Sequence, residues 1–115
     1  MLCAVVALVL GCSSNAVPGD AGATCAFVDP SCTTPTPSYA VVIKPVISDT
    51  CTACHYPNSP LAQTSLTTYA DVHGELGAAL TQVSSCLMPP PSYPQPTPTE
   101  RAALLTWLAC GAPEN

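Results

Sequence analysis

The chain has 115 residues, enough for one domain and too few for two. Two basic residues against seven acidic ones give a net charge of -5, which excludes a surface for nucleic acid or anionic lipid headgroups, because nothing is present to replace phosphate counterions. Only 8% of the residues are charged while 14 are proline and 8 are cysteine, a composition foreign to a long coiled coil and suited to an oxidising compartment, metal ligation or covalent cofactor attachment.

Residues 1–10 are an apolar run, and ten residues at about 1.5 Å rise cross only half of a hydrocarbon core of about 30 Å. The run fits the hydrophobic region of a secretory signal, with the positively charged start of such signals expected upstream of Met1. Val9-Leu10-Gly11-Cys12 resembles a bacterial lipobox, which implies removal of residues 1–11 and acylation of Cys12 as a membrane anchor. An ordinary signal peptide, with Cys12 left as a disulfide partner, is the alternative. Residues 12–37 are Ser, Ala, Thr, Gly and Pro with scattered acids, a flexible tether without an apolar period.

A domain is expected over residues 38–115, all-α and built of about three helices. The first, residues 39–48, carries Val42, Ile43, Val46 and Ile47 on one face, with Pro45 forcing a kink or a late start. The second, residues 68–84, repeats Tyr69, Val72, Leu76, Leu80 and Val83 at steps of three and four, with Gly74 and Gly77 weakening its middle. The third opens on Thr97-Pro98-Thr99-Glu100, the signature of a capping box with proline at the first helical position. Leu104, Leu105, Trp107 and Leu108 form its apolar face and Gly111 ends it. Between the second and third helices, the proline-rich residues 88–94 are expected to be extended.

The chemistry centres on Cys51-Thr52-Ala53-Cys54-His55, the C-x-x-C-H signature of haem c attachment. Two thiols at this spacing can add to the two vinyl groups of one haem, and the adjacent histidine then ligates the iron. Given the composition, roughly 0.01 such motifs would arise by chance in a chain of this length. A thiol-disulfide redox pair and half of a zinc site compete with this reading. The first would prefer a thioredoxin-like βαβ setting, which is missing, and the second needs a fourth ligand from His73 or a spare cysteine.

A six-coordinate iron needs a second axial donor. Once the signal is removed, Met88 is the remaining thioether, 33 residues after His55 and followed by three prolines that stiffen its backbone. His73, beside Gly74 and between Asp71 and Glu75, reads as a solvated helix residue. Core filling is the plain alternative for Met88.

Taken in order, the segments Val42-Ile43-Lys44-Pro45-Val46-Ile47, Cys51-x-x-Cys54-His55, Leu66-Thr67-Thr68-Tyr69, Cys86-Leu87-Met88-Pro89-Pro90 and Glu100-Arg101-x-x-Leu104-x-x-Trp107-x-x-Cys110-Gly111-Ala112-Pro113 resemble the small class I cytochrome c domains of bacterial secreted lipoproteins. The resemblance covers residues 39–113. It implies a cytochrome c-like fold around one covalent haem c, with thioethers at Cys51 and Cys54, proximal ligation by His55 and distal ligation by Met88. Two features depart from the family pattern: a very short path from the haem motif to the second helix, and the extra cysteines Cys86 and Cys110.

Cys3 leaves with the signal, Cys12 carries lipid, and Cys51 and Cys54 hold haem, so Cys25, Cys32, Cys86 and Cys110 remain as disulfide candidates with three possible pairings. Pairing within units, Cys25 with Cys32 and Cys86 with Cys110, is the expectation. The functional expectation is a non-enzymatic electron carrier held by its lipid on the outer face of a bacterial inner membrane or the periplasmic face of an outer one. With Lys44 and Arg101 as the domain's only cations, a basic redox protein is the expected partner. The alternatives are a five-coordinate haem enzyme or sensor, and a haem-free lipoprotein whose disulfides stabilise a binding module.

Overall fold

The computed structural model describes residues 25–115. These residues form a π-helical turn, Tyr39–Ile43, and four α-helices, with no strand among them: α1 (Lys44–Thr50), α2 (Tyr69–Gly74), α3 (Leu76–Ser84) and α4 (Pro98–Ala109). The all-α expectation holds. None of these helices is long and apolar enough to cross a membrane. The proposed signal, the lipobox and Cys12 lie outside the described residues.

The first expected helix starts late, as Pro45 demands. A proline lacks the N–H of the helical ladder and crowds the carbonyl four residues back. The chain meets this with a wider turn, in which the Ile43 N–H donates to the Ser38 carbonyl at 3.1 Å, and α1 then begins with Pro45 in its first turn. Ile43, Val46 and Ile47 are buried, whereas Val42 is exposed because the π-helical turn rotates it off the stripe.

The second expected helix is two. Glu75, at φ -101° and ψ 14°, separates α2 from α3 between Gly74 and Gly77, the residues least suited to holding a helix together. The apolar stripe survives the break: Val72 and Val83 are buried, and Tyr69, Leu76 and Leu80 pack against the same core. A reciprocal cap opens α2, the Asp71 N–H donating to Thr68 Oγ1 at 3.1 Å and the Thr68 N–H to Asp71 Oδ2 at 3.1 Å.

Helix α4 forms as its sequence predicts. Glu100 N–H donates to Thr97 Oγ1 at 3.2 Å, and the Glu100 carboxylate accepts from the Thr97 N–H at 2.7 Å. Leu104, Leu105, Trp107 and Leu108 are all buried. The indole of Trp107 stacks on Tyr39 at 5.5 Å between centroids, Tyr69 meets Tyr39 edge-on at 5.1 Å, and the indole N–H donates to the Pro113 carbonyl. Gly111, at φ +87°, ends the helix in a Schellman motif: its N–H donates to Leu108 O and that of Ala112 to Trp107 O.

The disulfides overturn the expected pairing. They join Cys25 to Cys86 and Cys32 to Cys110. Cys86 lies beside the first turns of α4, its sulfur 3.3 Å from Arg101 Nη2, whereas Cys110 caps the far end of that helix. Nine residue steps of helix lead from Arg101 to Cys110, about 13.5 Å at 1.5 Å per residue, while a disulfide requires Cα atoms about 4–7 Å apart. Residues 25–32 span the gap instead. They run beside Pro98, Arg101, Ala102, Leu105 and Thr106 of α4 as a strap bonded at both ends. As the Pro/Thr/Ser-rich sequence implies, residues 25–37 carry no helix or strand, but the two bridges fasten 25–32 to the domain rather than leaving it a free tether.

Candidate functional site

Helix α1 delivers the Cys-x-x-Cys-His segment directly. Its ladder continues into the motif through the Cys51 N–H, which donates to Ile47 O at 2.8 Å, and one further turn is closed by the His55 N–H donating to Cys51 O at 3.0 Å. Cys51 and Cys54 are the two unpaired cysteines among the described residues, both half-buried. Burial pushes the Cys51 thiol above its ordinary pKa, and a hydrogen-bonding contact with Thr50 only partly offsets this. A redox-active dithiol needs the opposite shift, toward the thiolate.

The His55 ring is oriented by a group with no side-chain signature. Nδ1 lies 2.9 Å from the backbone carbonyl of Thr64. A carbonyl can only accept, so Nδ1 carries the proton and Nε2 keeps its lone pair, the tautomer an iron ligand requires. The Leu66 N–H donates back to His55 O at 2.9 Å, so residues 55–66 form a closed loop beneath the imidazole.

Cys51, Cys54, His55 and Met88 line one apolar cleft of about 370 Å³. Its walls come from Ile47 and Thr50 of α1, Leu61 and Leu66 of the following loop, Val72, Ala79 and Val83 of α2 and α3, and Leu104 and Leu108 of α4. That volume lies within the range of small-molecule and cofactor sites. His73 is exposed on α2, its ring 5.5 Å from that of Tyr69, and it does not line the cleft.

Comparison of the chain with protein-family models, curated proteins and solved structures gives no match. The site therefore has to be read from its own chemistry.

Met88 follows the end of α3 through a second Schellman motif. Cys86 occupies the left-handed position at φ +62°, where glycine is usual; its N–H donates to Val83 O at 3.3 Å, and that of Leu87 to Gln82 O at 2.9 Å. The Met88 N–H shares the Gln82 carbonyl at 3.1 Å. The next residues turn rather than extend: the Tyr93 N–H donates to Pro90 O, and the Gln95 side-chain amide donates to the carbonyls of Pro89, Pro90 and Tyr93. The expected extended run is thus a looped one, because Gln95 satisfies carbonyls that the prolines leave without a local ladder.

The donor set fits a haem c. It offers two unpaired thiols at the attachment spacing, an imidazole with a free Nε2, a thioether on a separate element, and apolar walls around all four. It suits a tetrahedral cage poorly, since among the described residues no three His, Cys, Asp or Glu side chains are gathered as metal ligands.

Proposed function

We propose that the protein is an electron carrier of the cytochrome c type, with one haem held by thioethers to Cys51 and Cys54. His55 Nε2 and Met88 Sδ would hold the iron. When bound, the haem supplies an iron that gains or loses one electron without taking up substrate. The chain's own work is positional. Thr64 fixes the imidazole tautomer, Cys51 and Cys54 would tether the haem, and the apolar walls would keep water and its high dielectric away from it.

The observation that carries this reading is the shared cleft: the attachment motif and Met88, distant in sequence, line the same apolar space. It favours a filled distal position over the five-coordinate alternative, which needs a distal side without a donor. The two disulfides suit the extracytoplasmic compartment where cytochromes c are matured and lipoproteins reside. Lipid anchoring through Cys12 and a basic redox partner belong to the same proposal. Arg101 donates to Val83 O and Ser84 O, which leaves Lys44 as the exposed cation of the described residues and their surface acidic.

The test is covalent attachment. Protein produced with a cytochrome c maturation system should keep its colour with the polypeptide on acid-acetone extraction, and Cys51→Ala/Cys54→Ala should not. Colour passing to the solvent from the wild-type protein would overturn the proposal.

A further inference from the structure

We infer that the Cys25–Cys86 bridge, with Arg101, is the device that holds Met88 in the cleft. This assignment rests on the haem c reading above and adds what keeps its weaker axial donor in place.

Packing alone does not hold the loop. Met88 and Pro89 line the main cleft and also a second, open cleft of about 330 Å³, lined by the strap residues Val28 and Pro30 and by Ala102 and Leu105 of α4. On its strap side, therefore, the loop lacks the close-packed backing that fixes ordinary core side chains. Leu87, the neighbour of Met88, is 59% exposed, so burial adds little hold at that position. Bonds add the constraint that packing on this side does not give.

Gln95 holds the Pro89 and Pro90 carbonyls downstream, and a second set of bonds converges two residues upstream of Met88. Cys86 adopts φ +62°, a conformation that costs a side-chain-bearing residue and persists only where its surroundings enforce it. Its sulfur is tied to Cys25 of the strap, whose other end is tied to Cys110 at the far end of α4. Arg101 Nη2 donates to the carbonyls of Val83 at 2.9 Å and Ser84 at 3.1 Å and approaches Cys86 Sγ, pinning the turn from the α4 side. The loop that carries Met88 therefore starts from a covalently anchored residue. A neutral thioether is readily replaced by an external ligand once its loop moves, and the apparent affinity of that ligand rises with the fraction of molecules in which the loop has moved.

Haem-loaded full-length protein carrying Cys25→Ser/Cys86→Gly provides the test, since glycine keeps the left-handed turn while the tether is lost. The expected result is retained covalent haem and helix content, with imidazole displacing the methionine at a concentration on the order of tenfold lower than in wild type. The methionine-to-iron absorption band should also vanish at milder denaturant than global unfolding. If the double variant does not accumulate as folded protein, Arg101→Gln carries the same expectation, because it loosens the turn with both disulfides intact. An unchanged imidazole titration and band midpoint would overturn the assignment and leave the haem reading standing. Absence of covalent haem in the wild-type protein would overturn that reading instead.

Discussion

At the residue scale the site separates into what contiguous chemistry dictates and what only the fold can supply. Cys51, Cys54 and His55 stand out as candidates because the proposed thioether attachment and ligation demand those residue types at fixed spacing, and the fold places them in one cleft. Met88 stands out as a candidate because it is the one methionine after Met1 and is followed by prolines, and it lines the same cleft. Met88→Ala should leave the haem attached, abolish the methionine-to-iron band and let imidazole or cyanide bind without competition. An unaltered band in that variant would assign the distal position to another residue, and His73, exposed on α2 and outside the cleft, is poorly placed to be it. Thr64 was not legible. It acts through its main-chain carbonyl, which every residue possesses, so no side-chain pattern marks it. Gln95 and Arg101 were missed as loop-holding residues for a related reason: the carbonyls they bind are brought together only when α3, the Met88 loop and α4 are in place.

At the element scale local rules worked where the relevant interactions are local. The cap of α4 needs only four consecutive residues, and Thr97 and Glu100 form it as their spacing predicts. The second helix, expected from residue 68, starts there with Thr68 as its N-cap, but the long apolar stripe from Tyr69 to Val83 reads as one helix and masks the break at Glu75. Asp71 offers a test of that start. Hydrogen bonds led by those from Thr68, with Ser65 and Thr67 contributing, hold its carboxyl below the ordinary aspartate pKa. Since the folded value is depressed, its contribution is fully present above the unfolded value of about 3.9 and is lost as pH falls through the lower folded value. The melting temperature of Asp71→Asn should therefore lie below wild type at neutral pH, with the gap closing as pH drops below about 4. A gap independent of pH would show that the carboxylate charge is not what stabilises the start of α2.

At the scale of the whole molecule, the disulfides could not be paired from sequence because pairing is a statement about distance. The expectation that each bridge stays within its own segment neglects α4, which is long enough to hold Cys86 and Cys110 at its opposite ends. Crossing the strap over that helix closes loops with sequence separations of 61 and 78 residues, instead of the two short loops anticipated. Long loops remove more freedom from the unfolded chain, about 4 kcal/mol each in the chain-entropy description. For a small domain whose core is one tryptophan and a few aliphatic side chains, that is a large share of total stability. The two bridges should nevertheless do different work. Cys25–Cys86 joins the strap two residues before Met88, whereas Cys32–Cys110 joins it beyond the end of α4, next to the Gly111 turn and at the opposite end of that helix from the Cys86 turn. Cys32→Ser/Cys110→Ser is therefore expected to lower the free energy of denaturant unfolding by up to about 4 kcal/mol while the folded protein keeps its methionine-to-iron band and wild-type imidazole affinity. Loss of the band in this variant at low denaturant would mean that the strap acts on Met88 as one unit, and that tension along its full length, rather than the anchor at Cys86, sets the distal ligand.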